Sequence, residues 1–180
     1  MAVSEPSMAP SFEDLAMPLF DRLYNFAHWL TQNREEAEDL VQETYAKALK
    51  GFSSFQPGTN FRAWIYRILR NAFLTSRTGL KTQVEFDAED NDGKGTILPA
   101  DPHTPETIML KRSEQELVRN AIDQLPVAYR EVLLLCEFEE MSYQEIAAML
   151  GVPMGTVMSR LSRARSAFRD AVRRLRQGRQ

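Results

Sequence analysis

The 180-residue chain is 43% apolar and 26% charged, with one cysteine, Cys136, and a net charge of −3 at pH 7. That composition excludes collagen-like, disulfide-scaffold and wholly disordered chains, and a lone cysteine points to a reducing compartment. No apolar run approaches the ~20 residues needed to cross a bilayer, and Met1-Ala-Val-Ser-Glu-Pro lacks the basic and apolar parts of a signal peptide, so neither feature is expected.

Residues 12–30 carry Phe12, Leu15, Leu19, Leu23, Phe26, Ala27 and Leu30 at roughly a 3.6-residue period, which predicts helix. Asn33 is placed to cap the next helix, with Ala37, Leu40, Val41, Thr44, Tyr45, Ala48 and Leu49 on one face. The opposite face bears Glu35, Glu38, Asp39, Gln42 and Glu43, and acids in the first turn suit the positive end of the helix dipole. The segment from Gly51 to Gly58, rich in Gly, Ser and Pro, breaks the pattern. Asn60 then caps a third predicted helix. Its stripe of Phe61, Trp64, Ile65, Ile68, Leu69, Ala72 and Phe73 is apolar, and its other face presents Arg62, Tyr66, Arg67, Arg70, Asn71 and Arg77.

Beyond residue 80 the periodicity is lost. Residues 81–110 hold two lysines against seven acids, net −5, with Gly93, Gly95, Pro99, Pro102 and Pro105 among them, and read as a flexible acidic linker. Helices resume near Pro105. The predicted fold is therefore all-α: a flexible N-terminus (1–11), a helical domain (12–80), the linker (81–110), a second helical domain (111–176) and a tail (177–180).

Ser142-Tyr-Gln-Glu145 fits a capping box opening a short helix to Leu150, followed by Gly151-Val-Pro153 and a longer helix from Met154. Gly151 suits the tight turn and Pro153 the helix start. Ala147, Gly151 and Val157 stand at helix-turn-helix spacing, with the motif over about 142–165. Val157, Leu161, Ala164, Phe168, Ala171, Val172 and Leu175 face inward, leaving Thr156, Met158, Ser159, Arg160, Ser162, Arg163 and Arg165 on the polar side. From Ser159 to Gln180 eight arginines meet one acid, Asp170, for a net +7. That field suits phosphate contacts, although a solvated arginine face has the same pattern.

Three segments in this order resemble the extracytoplasmic-function (ECF, group 4) sigma factors of RNA polymerase, within the sigma-70 family. Ala37-Glu-Asp-Leu-Val-Gln-Glu-Thr44 is similar to regions 2.1–2.2, and Phe61-Arg-Ala-Trp-Ile-Tyr-Arg-Ile-Leu-Arg-Asn-Ala-Phe73 to regions 2.3–2.4. Ser142-Tyr-Gln-Glu-Ile-Ala147 through Gly155-Thr-Val-Met-Ser-Arg-Leu-Ser-Arg-Ala-Arg165 is similar to region 4.2. Leu40-Val-Gln-Glu-Thr-Tyr-Ala-Lys47 with Gly58-Thr-Asn60 also resembles the subgroup that responds to thiol oxidation, whose members are commonly held by a zinc-containing anti-sigma factor.

The resemblance implies a cytoplasmic bacterial protein, nucleoid-associated when active, that binds core RNA polymerase, promoter DNA and an anti-sigma factor without inserting into a membrane. It implies that Asp39, Leu40, Gln42 and Glu43 dock on the clamp helices of the largest polymerase subunit. A solvated face with a Glu43–Lys47 pair is the plainer reading of the same residues. It implies that the −10 element is melted, with a flipped base captured near Phe52 and Phe55. Asn71 and Arg67 would serve the base edge and phosphate, and Arg62, Arg70 and Arg77 the backbone. For Trp64 core packing is expected, while for Phe55 packing and stacking stand level. The −35 duplex would be met by Met158, Ser159, Ser162 and Arg163 near bases and by Thr156, Arg160 and Arg165 towards phosphates. Many members carry arginine where this chain has Met158, which cannot make a bidentate guanine contact. The linker would thread the polymerase cleft, or serve only as a tether.

The histidines, His28 and His103, and the absence of a second acidic motif at ligand spacing give no expectation of a metal, a cofactor or an enzyme. Cys136, within an apolar run, is expected to be an inert thiol. The alternative function is a free-standing dimeric helix-turn-helix regulator, which would bind palindromic duplex DNA by itself.

Overall fold

The structure, a computed structural model, describes residues 10–80 and 105–178. It is built from α-helices and two short 3₁₀ turns among those residues. Helix α1 (Phe12–Ala16) opens on a capping box: Ser11 Oγ accepts from the Asp14 N–H at 3.2 Å, and the Asp14 carboxylate accepts from the Ser11 N–H at 3.0 Å. The periodicity of residues 12–30 predicts one helix, but a 3₁₀ turn at Met17–Leu19 divides it. Pro18 is the cause, since it has no N–H to donate to the helix ladder. The apolar phase survives the break, and Leu23, Phe26, Ala27 and Leu30 of α2 (Phe20–Thr31) are buried beside Phe12 and Ala16.

Helix α2 ends at Gln32 in the left-handed region (φ 55°), and Asn33 caps α3 (Arg34–Gly51) by accepting from the Glu36 N–H at 3.1 Å. Ala37, Leu40, Val41, Thr44 and Ala48 face the core, whereas Leu49, expected on that face, is 57% exposed. It sits one position past the buried Ala48, about 100° further round the helix. Asn60 caps α4 (Phe61–Leu80) by accepting from the Ala63 N–H at 3.0 Å. Phe61, Ile65, Leu69, Ala72 and Phe73 are buried, with Trp64 and Ile68 at the edge of the stripe.

The acidic linker expected over 81–110 lies mostly outside the described residues. Residues 105–110, assigned to it by sequence, belong instead to α5 (Pro105–Asp123). Proline is well suited to a first helical position, where no N–H is required. Helix α6 (Val127–Glu137), α7 (Tyr143–Leu150) and α8 (Met154–Gln177) complete the second half, with α6, α7 and α5 packed on α8. The helix-turn-helix forms as its residues require. Ser142 and Glu145 make the capping box, and Gly151 closes α7 at φ 65°.

The two halves pack together. Helix α4 lies against α7 and α2 against α6, and the buried apolar side chains of both halves form one cluster. Val132, Leu133, Leu134 and Leu135 of α6 are consecutive and all buried, the mark of a helix covered on more than one side.

Candidate nucleic-acid interface

The acidic face of α3 is exposed at Asp39, Gln42 and Glu43, and Glu43 pairs with Lys47 at 2.5 Å. Leu40 does not share that face. At 5% exposure it belongs to the core, because it stands on the same stripe as Ala37 and Val41.

The loop before α4 folds its aromatic rings inward. Phe52 and Phe55 stack with centroids 5.9 Å apart and planes 10° from parallel. Phe55 also meets the edge of Phe61 at 5.3 Å and Trp64 at 5.2 Å, and Phe12 closes the group against Phe52 at 5.4 Å. Such ring contacts contribute about 0.5–1.5 kcal/mol each beyond the area they bury. Phe52, Phe55 and Trp64 nevertheless remain half-buried, so each keeps an edge at the surface.

The polar face of α4 meets the second domain. Arg62 donates to the Glu139 carbonyl at 2.9 Å, Arg67 donates to the Ala148 carbonyl, and the Asn60 amide donates to the Glu145 carboxylate. Arg70 Nε donates to Glu131 Oε1 at 2.5 Å. Arg22 of α2 adds an ion pair to Glu139 Oε2 at 3.0 Å. Tyr66, placed by periodicity on the polar face, is fully buried because this second surface covers it. Burial pushes the Tyr66 hydroxyl far above its ordinary range, with the Glu139 charge adding to the effect. Burial likewise raises the Glu131 carboxyl, against the opposing pull of Arg70 and, from α8, Arg160.

Neither the Tyr66 hydroxyl nor Glu139 Oε2 completes a well-formed hydrogen bond. An unpaired buried hydroxyl costs about 1–3 kcal/mol, whereas Glu139 Oε2 keeps its ion pair with Arg22. Glu139 is followed by Glu140 at φ 51°, a left-handed conformation uncommon away from glycine. Of the remaining residues expected on the −10 strand, Asn71 is exposed. Arg77 lies 5.3 Å over the Phe73 ring and 3.5 Å from Glu36.

The corresponding face of α8 is open. Met158, Ser159, Ser162 and Arg163 are exposed, and Thr156 and Arg160 half-buried. Ser159 Oγ donates to the Thr156 carbonyl at 3.0 Å. Arg165 is held by Glu137, with Nη2 at 2.7 Å and Nε at 3.0 Å from the same carboxylate oxygen. Its guanidinium also approaches Cys136 Sγ at 3.8 Å, and burial together with the Glu137 charge pushes that half-buried thiol up, away from reactivity.

Several residues that build this interface were not singled out by sequence. Among the described residues, the buried Arg130 has no carboxylate partner in hydrogen-bond range. Its guanidinium instead donates to the carbonyls of Ile122 (3.2 Å), Trp29 (2.9 Å), Asp123 (2.8 Å) and Leu125 (2.9 Å), tying the α5–α6 corner to α2. Glu131 and Glu139 are likewise long-range partners. The available signal was the charged pair Arg130-Glu131 entering an otherwise apolar run, which is rare unless partnered.

Comparison with known proteins places these surfaces in context. Residues 15–81 match the family model described as Sigma-70 region 2, and residues 115–168 the one described as Sigma-70, region 4. The chain is 39% identical over 159 residues to the ECF RNA polymerase sigma factor EcfG of Rhodopseudomonas palustris, covering 88% of this chain and 83% of that protein. It is 37% identical over 171 residues to the ECF RNA polymerase sigma factor SigE of Mycolicibacterium smegmatis, covering 94% of this chain but 64% of that protein's length. Its fold is similar to that of the sigma factor RpoE in a co-crystal structure with the anti-sigma factor NepR from Bartonella quintana. The TM-score is 0.69 at 29% identity, over 89% of this chain and 98% of that one.

Proposed function

The chain belongs to the ECF sigma factors of the sigma-70 family, and from that premise we propose how its surfaces share the task of starting transcription. It binds core RNA polymerase and directs promoter-specific initiation, as a specificity subunit of the cytoplasmic enzyme with no catalysis of its own. The exposed Asp39, Gln42 and Glu43 of α3 dock on the clamp helices of the largest subunit, with Leu40 holding the helix from beneath. Acids on a rigid, well-packed helix suit pairing with arginines across an interface.

Helix α4 and the loop before it take the −10 strand. Arg62, Arg67, Arg70 and Arg77 supply phosphate contacts, Asn71 a base edge, and Phe52 and Phe55 a surface for a flipped base. Stacking of that kind contributes about 1–3 kcal/mol per base, enough to offset the few kcal/mol of flipping. Helix α8 reads the −35 duplex with Met158, Ser159, Ser162 and Arg163, and Thr156, Arg160 and Arg165 steady the backbone. An anti-sigma partner is assigned by likeness to RpoE, whose structure holds NepR.

One observation carries the reading: an open helix-turn-helix face on α8 and a row of arginines on α4 lie in the two segments that match sigma regions 4 and 2. Run-off transcription with core polymerase tests it. A promoter-specific transcript is expected only when chain and core are combined. A chain that yields none, yet footprints a palindrome alone as a dimer, is the free-standing regulator instead.

A further inference from the structure

Helix α8 is longer than reading a duplex requires. It runs unbroken from Met154 to Gln177, 24 residues in all, or about 36 Å at about 1.5 Å per residue. A helix-turn-helix brings only the N-terminal residues of this helix to base edges. Beyond Arg165 the helix still carries Arg169, Arg173, Arg174 and Arg176, all exposed. At about 100° per residue, Arg169 and Arg173 return to within about 20° of Ser162, in the middle of the base-reading group, whereas Arg174 is turned about 120° away.

Their protein contacts follow the same division. Arg174 donates to Gln124 on the far side at 3.2 Å. On the reading side, Arg169 has no ion pair or hydrogen bond among the described residues. Arg173 has an exposed contact with Asp170 at 3.3 Å, three positions before it. A surface pair of that kind is readily exchanged for another anion.

Position along the axis decides what these two cations can meet. Arg169 stands about 10 Å and Arg173 about 16 Å beyond Ser162. The major groove is about 12 Å wide, so its phosphate walls lie about 6 Å from its middle. A straight helix cannot follow the curving groove. With Ser162 among the bases, the next turns rise past a wall and come level with the sugar-phosphate backbone. We propose that Arg169 and Arg173 form a second, sequence-independent anchor on DNA, holding phosphates at the edge of the −35 site and in the duplex that flanks it. Base preference stays with the first turns of α8, and the anchor adds affinity wherever the duplex continues.

Fluorescence anisotropy of the full chain, followed as log affinity against log salt, tests the anchor. The variants are R169A, R173A and, as a control of equal charge, R174A, with helix content checked by circular dichroism. On a duplex with about ten base pairs on each side of the site, R169A and R173A should each flatten the slope by about 0.9, and R174A should leave it unchanged. The double variant should bind at least about tenfold more weakly at low salt, with the same preference among single-base −35 variants. Trimming one flank flush with the site should weaken the wild type more than R173A. An unchanged slope overturns the anchor and leaves these arginines to solvent or a protein partner. Equal flattening in R174A also overturns it, as the mark of a general field, and so does an altered base preference.

The inference rests on the −35 reading for where α8 meets the duplex, and a duplex of unrelated sequence separates the two. A wild-type chain that prefers no −35 site, yet loses slope on that duplex in R169A and R173A, refutes the −35 reading and leaves the anchor standing.

Discussion

The guanidinium of Arg70 on α4 donates to the carboxylate of Glu131 on α6 at 2.5 Å, joining the two halves through side chains that are 16% and 6% exposed. A pair this buried costs much to desolvate and is weak support for stability by itself. Breaking it from one side is another matter, because it strands a buried charge. Removing Arg70 alone should therefore destabilise the packed form by about 3–5 kcal/mol, or part the halves. Urea unfolding of R70A measures it, and a loss below about 1 kcal/mol contradicts a functioning pair.

Arg130 is the clearest structural cation. Its guanidinium satisfies four carbonyls, one of them from Trp29 in the other half. R130A strips the guanidinium from the Trp29 and Leu125 carbonyls, while the Ile122 carbonyl keeps the Leu125 N–H and the Asp123 carbonyl the Gln32 amide, and a loss of about 3–5 kcal/mol is expected from the groups left without their donor. R130K should recover only part of it, since one ammonium cannot reach what a planar fork reaches. Equal stability of R130K and wild type speaks against this geometry.

Two carboxyls should respond to acid in opposite directions. Glu145 is held below its ordinary value of 4.5, first by the Ser142 backbone N–H and then by its hydroxyl. Its stabilisation of the α7 start is present above pH 4.5 and lost as the pH falls through the lowered native value. Glu131 is raised above 4.5 by burial, so its contribution is full below 4.5 and declines as the pH rises through the raised value. Carboxyl titration by NMR, with amide exchange in α7, reads both. Glu145 titrating at or above its ordinary value would contradict the capping box. S142A should cost about 1 kcal/mol.

Gly151 turns the chain between α7 and α8 at φ 65°, and a Cβ there meets nothing within 4 Å. The cost of G151A is therefore backbone strain alone, about 1–2 kcal/mol. G151N should lose less, as asparagine tolerates the left-handed region. Thermal unfolding of the two variants distinguishes strain from a packing clash, which would penalise the larger asparagine more.

Met158 is 52% exposed on the open face of α8, between Val157 and Ser159. M158R should gain about 1–3 kcal/mol of preference for a guanine at one −35 position, through a bidentate contact that methionine cannot make. R163A should flatten the dependence of log affinity on log salt by about 0.9 if its partner is a phosphate. Binding to a panel of single-base −35 variants at two salt concentrations checks both. No change in base preference for M158R would remove it from the reading position.

Local chemistry was legible in the chain because its causes are local. Asn33, Asn60 and Ser142 cap as their side chains dictate, Gly151 takes the positive φ, and the α4 stripe is buried as its spacing requires. What escaped prediction depends on partners distant in sequence. Tyr66 stands at a polar register of α4 and is buried only because Glu139, 73 positions later, closes over it. Arg62, Arg67 and Arg70 read as free cations until the second half supplies their oxygens. Leu40 shows a different failure: a motif match drew it onto a binding face from which the helical period had already excluded it. Pro18 was passed over because the apolar phase continues across its 3₁₀ turn.

The division of labour between α4 and α8 is tested most directly by permanganate footprinting of a promoter bound by the reconstituted holoenzyme. Wild-type chain with core polymerase should make the −10 thymines of the non-template strand reactive and protect the −35 duplex. N71A combined with R67A should abolish that reactivity while −35 protection persists, and S162A combined with R163A should weaken −35 protection first. Thymine reactivity unchanged in the α4 variant, with −35 protection unchanged in the α8 variant, would contradict the account.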